Sequence, residues 1–210
     1  DTFEVERLGA RSVKGISGEV EHFRVLGERE APVVSSGPFV GRRTEFADLT
    51  AAAAGLPGKL FVRRLDVGSE SDIAAFVAWA NTSMGGLNAL INNAGMGMVG
   101  AVEDSTKEDI LKLFNLNLVG AVQMMSAVMP KMREQKFGKI INVSSIGSEM
   151  GLPFRGFYSA SKSALDKVVE AMRYEVYQWN VEVCSLHLGD IKTKIAENRV
   201  KTQVSEPYKN

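Results

Sequence analysis

The chain has 210 residues, of which 45% are hydrophobic and 24% charged, and this length and composition suit one globular domain with a sizeable core. Its formal net charge is +0, which excludes a global field that would recruit nucleic acid or an anionic membrane. The single cysteine excludes an internal disulfide and favours a reducing, cytoplasmic location. No apolar stretch approaches the roughly 18 residues of a membrane span, and the N-terminus has no leader-like segment, so we expect neither a membrane span nor secretion.

The first part of the chain gives only weak signals of regular structure. Residues 1–8 alternate weakly between polar and apolar and could form a half-exposed strand, and residues 19–26 could form a helix. Residues 31–40 resemble a strand that an internal proline weakens. A threonine can cap a helix over residues 44–54, which contains four consecutive alanines.

From residue 59 onwards, apolar strands alternate regularly with helical segments. The predicted strands are 59–67, 87–91, 139–143 and 181–187, and the predicted helices are 69–79, 107–135 and about 156–180. Ser69 with Asp72 can start the first of these helices, and Thr106 with Asp109 the second, which Pro130 can bend near its end. Nearly all-apolar strands that alternate with helices indicate an α/β fold with a parallel sheet covered on both faces.

In such a fold, ligands bind beyond the carboxyl ends of the strands. The loops after Ile91, Val143 and His187 are therefore where we expect a site. The stretch after Val143 contains Tyr158 and Lys162, which are four residues apart at the predicted start of a helix and so share one face. A phenol has a pKa of about 10, which a neighbouring ammonium lowers, so this pair could serve as an acid and base. Pairs with this spacing are also common on helix surfaces, and the interpretation depends on the surrounding residues.

Those surroundings form an ordered set of polar residues. The sequence Asn92-Asn93-Ala94-Gly95 follows a predicted strand, Asn117 lies within the long helix, and Ser145 precedes Tyr158 by thirteen residues. Together with Lys162, in the context Tyr158-Ser159-Ala160-Ser161-Lys162, this set resembles the short-chain dehydrogenase/reductase family.

The resemblance covers roughly residues 41–195 and implies a fold and an activity. The fold is a Rossmann-like doubly wound parallel β-sheet with helices on both faces, in a single domain over residues 1–210. The activity is an NADP(H)-dependent oxidoreductase that interconverts a small-molecule ketone and a secondary alcohol. The alternative is a catalytically weak nucleotide-binding or scaffold protein of the same fold. The family also implies a homodimer or homotetramer, built on the helices at 107–135 and 156–180.

The family's catalytic roles transfer to four residues of this chain. Tyr158 would exchange a proton with the substrate oxygen, and Ser145 would donate a hydrogen bond to that oxygen, with Ser144 as the alternative. Lys162 would lower the pKa of Tyr158 and bind the nicotinamide ribose. Asn117 would bend its helix and hold a water in the proton relay.

The implied cofactor is NADP(H), with NAD(H) as the alternative. Arg42 and Arg43 stand where a basic residue of the family contacts the 2′-phosphate, and guanidinium groups suit phosphate, although both could be surface charges. Lys14 resembles a second basic position. The further cofactor-binding residues that the resemblance implies are Asp66, Val67, Asn93, Ala94, Gly95, Gly189, Ile191 and Thr193. For Asp66, a buried salt bridge is the alternative role.

The segment Gly9 to Gly18 departs from the family's glycine-rich T-G-x-x-x-G-x-G motif. Leu8 replaces the threonine and Ser17 the last glycine, so Gly9, Gly15 and Ile16 only approximate a phosphate-binding turn. Seventeen residues follow Thr193, so we expect a chain that is incomplete at its C-terminus and irregular in residues 1–31, with most of the substrate pocket absent. No metal site is expected, because His22 and His187 are isolated.

Overall fold

The computed structural model describes residues 3–12 and 19–28 as backbone, and residues 59–189 and 199–208 with their side chains. The chain divides into two compact units, Asp1–Arg64 and Leu65–Asn210. The expected single domain over the whole chain stays a prediction.

The first unit contains an antiparallel hairpin. Strand β1 (Phe3–Ser12) pairs with strand β2 (Glu19–Glu28), from Phe3 opposite Glu28 to Ser12 opposite Glu19, with two register shifts. The strand expected at 1–8 is confirmed. The helix expected at 19–26 is wrong, because the alternating and β-branched residues of this segment pair with β1 instead. The expected strand at 31–40 and helix at 44–54 lie outside the described residues.

The second unit is built on a parallel sheet. Strands β3 (Ala89–Asn92), β5 (Gly138–Ser145) and β6 (Val181–Leu188) lie in the order β3-β5-β6, with Ile91 opposite Ile141 and Ser144 opposite His187. The predicted strands at 87–91, 139–143 and 181–187 are therefore confirmed within about two residues. A two-residue parallel pair, β4 (Met98–Val99) with β7 (Val200–Lys201), forms a separate small sheet.

The predicted strand at 59–67 is wrong: in the structure these residues carry no sheet pairing. A strand needs a neighbouring strand to pair its backbone N–H and C=O groups. The N-terminal strand, residues 3–12, pairs with residues 19–28 and not with residues 59–67. The apolar residues that suggested a strand still matter for packing, because Leu65 and Val67 contact the hydrophobic core of the second unit.

The helices begin where their caps predict. Helix α1 (Glu70–Met84) starts after Ser69, whose side chain accepts a hydrogen bond from the Asp72 backbone N–H, and it ends at Gly85 with φ 74°. The long predicted helix comprises α2 (Lys107–Phe114), a π-helical turn (Asn115–Val119) and α3 (Gly120–Gln135).

The start of the long helix is capped by Thr106, which accepts from the Asp109 N–H. Pro130 lies inside α3. The third predicted helix is α4 (Gly156–Val176), followed by a short 3₁₀ turn at Tyr177–Trp179.

Methionines of α3 provide much of the core. Met124, Met125, Met129 and Met132 are buried and pack with Ile140 of β5. The combined helix Lys107–Gln135 is long and apolar enough, by length and composition alone, to cross a membrane, which corrects the expectation that no segment is. Its methionine face lies in the core of this unit, as expected of a central helix in an α/β fold.

Candidate active site

The end of β5 presents the two serines that the sequence left as alternatives. Ser144 is buried, and its hydroxyl donates to the Asp166 Oδ2 atom at 2.9 Å. Ser145 is half-buried, and its Oγ accepts from the Gly147 backbone N–H at 3.1 Å. A hydroxyl that accepts one bond still has its own proton to donate. The geometry therefore favours Ser145 as the hydroxyl available to a ligand.

The first two turns of α4 hold Tyr158 and Lys162, four residues apart on one face. Tyr158 is half-buried, whereas Lys162 is only 5% exposed. The Lys162 ammonium donates to the Val143 carbonyl of β5 at 2.8 Å, which fixes the start of α4 against the end of the strand. An ammonium has three donors, so this bond leaves two for other acceptors.

Burial lowers the pKa of Lys162, because an apolar environment disfavours its charged form. The carboxylate of Asp166, one helical turn further along α4, opposes this effect and favours the ammonium. The protonation of Lys162 therefore depends on a residue that the sequence did not single out.

Asn117 lies at the centre of the π-helical turn and is 1% exposed. Its Oδ1 accepts from the Met96 N–H at 2.8 Å, and its Nδ2 donates to the Met96 carbonyl at 2.9 Å and to Ser161 Oγ at 3.1 Å. One side chain thus joins the loop after β3 to α4. The neighbouring Asn115 is exposed, as polar helix surface would be.

Gly95, in the loop after β3, lies next to the side chains of both Asn117 and Lys162. A Cβ atom at Gly95 would lie 3.3 Å from Asn117 Oδ1 and 3.4 Å from Lys162 Nζ. Side chains from the π-helical turn and from α4 therefore meet at the loop after β3, as predicted for the carboxyl edge of a parallel sheet. Asn93, Ala94 and Gly95 are exposed there.

Asn92, the first residue of the same sequence motif, has a structural role. It is buried, and its Nδ2 donates to the Ala121 carbonyl at 3.1 Å and to Asn142 Oδ1 at 2.9 Å. These bonds tie β3 to α3 and to β5. The motif thus divides into one residue that anchors the loop and three that face solvent.

A cluster that sequence reasoning missed lies beside Ser144. The imidazole of His187 bridges two carboxylates, with Nε2 3.3 Å from Asp166 Oδ2 and Nδ1 3.0 Å from Glu149 Oε1. Burial raises the pKa of Asp166, but the nearby hydroxyls of Ser148, Ser185 and Ser144 and the charge of His187 outweigh it, so the net pKa is lowered. Of these hydroxyls, that of Ser144 donates a hydrogen bond to the carboxylate.

Two signals could have found this cluster. Asp166 follows Lys162 by four residues, and His187 is the last residue but one of β6, the strand next to β5, where it lies opposite Ser144. The three ligand-type side chains of Glu149, Asp166 and His187 are close enough to hold a metal ion. However, His187 directs both ring nitrogens at carboxylates, which is the geometry of a charge network.

The remaining predicted cofactor residues are only partly described. Asp66 is exposed and accepts from the Gly68 N–H at 2.9 Å, so the alternative of a buried salt bridge is wrong for it. Val67 packs against the core, and its carbonyl would be 2.6 Å from a Cβ at Gly120. Gly189 is exposed at the end of β6.

Gly9 lies within β1, opposite His22. The other predicted cofactor residues lie outside the described residues, namely Lys14, Gly15, Ile16, Arg42, Arg43, Ile191 and Thr193.

Comparison with known proteins agrees with this geometry. A family model described as "short chain dehydrogenase" matches residues 26–204. The 3-ketodihydrosphingosine reductase of Bacteroides thetaiotaomicron is 42% identical over 142 residues, which are 68% of this chain and 53% of that protein. Retinol dehydrogenase 8 of Bos taurus is 34% identical over 157 residues, 74% of this chain and 49% of that protein. The chain thus spans about half the length of these relatives.

Solved structures share the fold. The crystal structure of a short-chain dehydrogenase from Streptomyces avermitilis is 28% identical, with a TM-score of 0.69 over 84% of this chain and 64% of that one. The predicted Rossmann-like α/β fold is therefore confirmed. With the family model matching most of its length, and with Asn117 and Lys162 meeting at Gly95, this chain belongs to the short-chain dehydrogenase/reductase family.

Proposed function

We propose that this protein is an NADP(H)-dependent oxidoreductase that interconverts a ketone and a secondary alcohol. The observation that carries the proposal is the convergence at Gly95, where Asn117 Oδ1 and Lys162 Nζ both approach within about 3.4 Å of the same point. Tyr158 lies one helical turn before Lys162. The relative named 3-ketodihydrosphingosine reductase supports the reduction of a ketone, and the one named retinol dehydrogenase 8 supports the oxidation of an alcohol by the same family.

The residues present fit a nicotinamide cofactor. Gly95 leaves open the space that a Cβ would fill beside Lys162, and Asn93 and Ala94 are exposed next to it. When bound, the cofactor supplies the hydride transfer that side chains cannot perform. Lys162 would bind its ribose hydroxyls with the ammonium donors that the Val143 carbonyl does not use.

The chain's own residues would control the proton and the substrate oxygen. Tyr158 gives its hydroxyl proton to that oxygen in reduction and takes it back in oxidation. Ser145 donates a hydrogen bond to the same oxygen and orients it. The Lys162 ammonium stabilises the phenolate that Tyr158 becomes after giving up its proton. Asn117 holds the loop and α4 in register by its bonds to Met96 and Ser161.

The test is to follow the absorbance of NADPH with a panel of ketones. Tyr158→Phe should abolish turnover while calorimetric titration still detects NADPH binding. Tyr174→Phe is the matched control, because Tyr174 lies on the same helix but is 77% exposed. Turnover that survives Tyr158→Phe would contradict the proposed proton transfer.

The preference for NADP(H) rests on Arg42 and Arg43 and on Lys14, by their positions in the sequence. Replacing both arginines by alanine should weaken NADPH binding more than NADH binding. An equal loss for both cofactors would mean that the guanidinium groups do not contact the 2′-phosphate.

One observation favours a second candidate, a catalytically weak nucleotide-binding or scaffold protein. Gly9, predicted to begin a phosphate-binding turn, lies in an antiparallel strand opposite His22. Calorimetric titration tests the scaffold protein, which would bind neither NADPH nor NADH measurably. Cofactor binding without turnover of any ketone would indicate the catalytically weak nucleotide-binding protein. The exposed Asn93–Gly95 loop beside Lys162 makes the oxidoreductase the stronger candidate.

A further inference from the structure

His187, near the end of β6, contacts two other elements of the second unit. Its Nδ1 lies 3.0 Å from Oε1 of Glu149, the residue that follows the short 3₁₀ turn Ile146–Ser148. Its Nε2 lies 3.3 Å from Oδ2 of Asp166 on α4. One imidazole therefore joins the turn after Ser145 to the helix that carries the proposed acid and base.

Both contacts of His187 are hydrogen bonds only if its ring carries two protons. An ionised carboxylate can only accept, so each ring nitrogen has to donate. A neutral imidazole has one N–H and one bare nitrogen, and the bare nitrogen would direct its lone pair at a carboxylate oxygen. The positions of Glu149 and Asp166 are thus both satisfied only by the imidazolium form, and the loss of one proton breaks one of the two contacts.

The charges around His187 balance when the ring is charged. The charged groups that act on this cluster come from the turn and from α4, and they are Glu149, Lys162, Asp166 and Lys167. The Lys167 ammonium is exposed and lies 2.6 Å from a carboxylate oxygen of Glu170. The buried ammonium of Lys162 and a charged His187 together balance the other two carboxylates, whereas a neutral ring leaves one negative charge in excess.

Asp166 needs this positive charge, because hydrogen bonds do not satisfy all of its carboxylate. Its Oδ2 accepts from Ser144 Oγ at 2.9 Å, but its Oδ1 is buried and makes no hydrogen bond among the residues that the structure describes. Burial opposes the ionisation of Asp166, yet the nearby hydroxyls and the charge of His187 outweigh it and lower the pKa, so this carboxyl is ionised near neutral pH.

The turn that His187 contacts is the one that orients Ser145. The Gly147 N–H donates to Ser145 Oγ at 3.1 Å, and the Ser148 hydroxyl donates to the Ser145 carbonyl at 2.7 Å. Glu149 ends this turn, so its contact with His187 limits how far the turn can move. A weaker contact would loosen the N–H group that gives the Ser145 hydroxyl its direction.

We propose that the doubly protonated His187 is a positioning residue, which clamps the turn after Ser145 to α4 and releases it when the ring loses a proton. The clamp holds at low pH, where the imidazolium donates to both carboxylates, and is lost as the pH rises through the titration of the ring. Glu149 is the contact that is released, because it is 64% exposed whereas Asp166 is 16% exposed. This inference rests on the proposed oxidoreductase function and adds to it a pH dependence of Ser145.

The structure sets the size and the kind of effect. The Ser163 hydroxyl also donates to the Ser148 carbonyl, so the turn keeps one attachment to α4 when Glu149 is released. Because Glu149 is exposed as well, release of the clamp should lower kcat only about two- to fivefold. We expect kcat to change more than KM, since Ser145 orients the oxygen on which charge develops in the transition state.

The test measures kcat for NADPH-dependent reduction from about pH 5.5 to about pH 8.5, with the ketone of the panel that the parent reduces fastest. Glu149→Gln is the decisive variant, because its amide carbonyl accepts from the imidazolium and its NH₂ group donates to the bare nitrogen of the neutral ring. The ratio of its kcat to that of the parent should be near one at the low end and rise about two- to fivefold at the high end.

Two further variants complete the design. His187→Gln does not titrate, so it should lower kcat most at low pH, where the parent is clamped, and approach the parent at high pH. Glu175→Gln changes an exposed glutamate on the same helix and is the matched control, with a ratio to the parent that does not vary with pH. If the ratios for Glu149→Gln and His187→Gln are equally independent of pH, the clamp is overturned and His187 only stabilises the fold.

Failure of the proposed function would be distinguishable from failure of the clamp. If no ketone is turned over, hydrogen exchange still reports the protection of the Gly147 N–H, which donates to Ser145 Oγ. This protection should fall with rising pH in the parent, in step with the NMR titration of the His187 ring, and stay level in Glu149→Gln. The chain has two histidines, so His187→Gln assigns the ring signal. Equal protection in both proteins at every pH would overturn the clamp, whether or not the protein is an oxidoreductase.

Discussion

The hydrogen bonds of Asn117 give a quantitative prediction for Asn117→Ala. The side chain is 1% exposed and makes three hydrogen bonds, at 2.8, 2.9 and 3.1 Å. Each contributes about 1 kcal/mol net, so the variant should lose about 3 kcal/mol of unfolding free energy. In urea, with an m-value of about 2 kcal/mol/M, the midpoint should fall by about 1.5 M.

The control is Asn115→Ala, two residues earlier in the same π-helical turn. Asn115 is exposed, and alanine is the better helix former by about 0.5 kcal/mol, so this variant should match or slightly exceed the parent in stability. Both substitutions replace asparagine by alanine and gain the same helix propensity. The difference between their unfolding free energies therefore measures the contribution of the buried hydrogen bonds of Asn117. Urea unfolding followed by circular dichroism measures both.

If the unfolding free energies of the two variants differ by less than about 1 kcal/mol, the three hydrogen bonds of Asn117 do not stabilise the fold as inferred, because their loss should cost about 3 kcal/mol. Asn117→Ala should also weaken NADPH binding in calorimetry, since the Met96 backbone that it holds is next to Gly95.

Two further predictions concern other contacts of the site. Gly100→Ala places a Cβ about 1.7 Å from Thr202 Oγ1 and should lower the thermal unfolding midpoint. Gly151→Ala is the control, because a Cβ there would have nothing within 4 Å and the midpoint should stay nearly unchanged. Equal changes of the midpoint in both variants would contradict the close packing of Gly100 against Thr202. Asp166→Asn removes the charge that opposes the desolvation of Lys162, so the pKa of Lys162 falls further and its ammonium is lost at lower pH. NADPH affinity measured as a function of pH should therefore begin to fall at a lower pH in the variant. An unchanged alkaline fall in affinity would exclude an effect of Asp166 on the protonation of Lys162.

The sequence predicted those features that depend on local chemistry. Ser69 and Thr106 cap helices because their hydroxyls accept from a backbone N–H three residues on, a pattern that is visible in the sequence. The pairing of Tyr158 with Lys162 follows from helical spacing alone, once the apolar strand before it is recognised.

The errors arise where distant residues decide the structure. Residues 19–26 became a strand because residues 3–12 pair with them, and the apolar segment 59–67 carries no sheet pairing. Phe154 and Thr202 line one cleft only because β4 pairs with β7, two-residue strands about a hundred residues apart that no periodicity reveals.

The π-helical turn at Asn115–Val119 sets the rotational phase between the two halves of the long helix. A π-turn accommodates one residue more than an α-turn, and each residue of an α-helix advances the helix by about 100°. If these residues formed continuous α-helix with none removed, Asn117 and the buried methionines of α3 would turn by about 100° relative to each other. Either the core or the candidate site would then face solvent. The contact of Asn117 with Met96 and the packing of Met125 are thus compatible because the wider turn absorbs one extra residue in the helix.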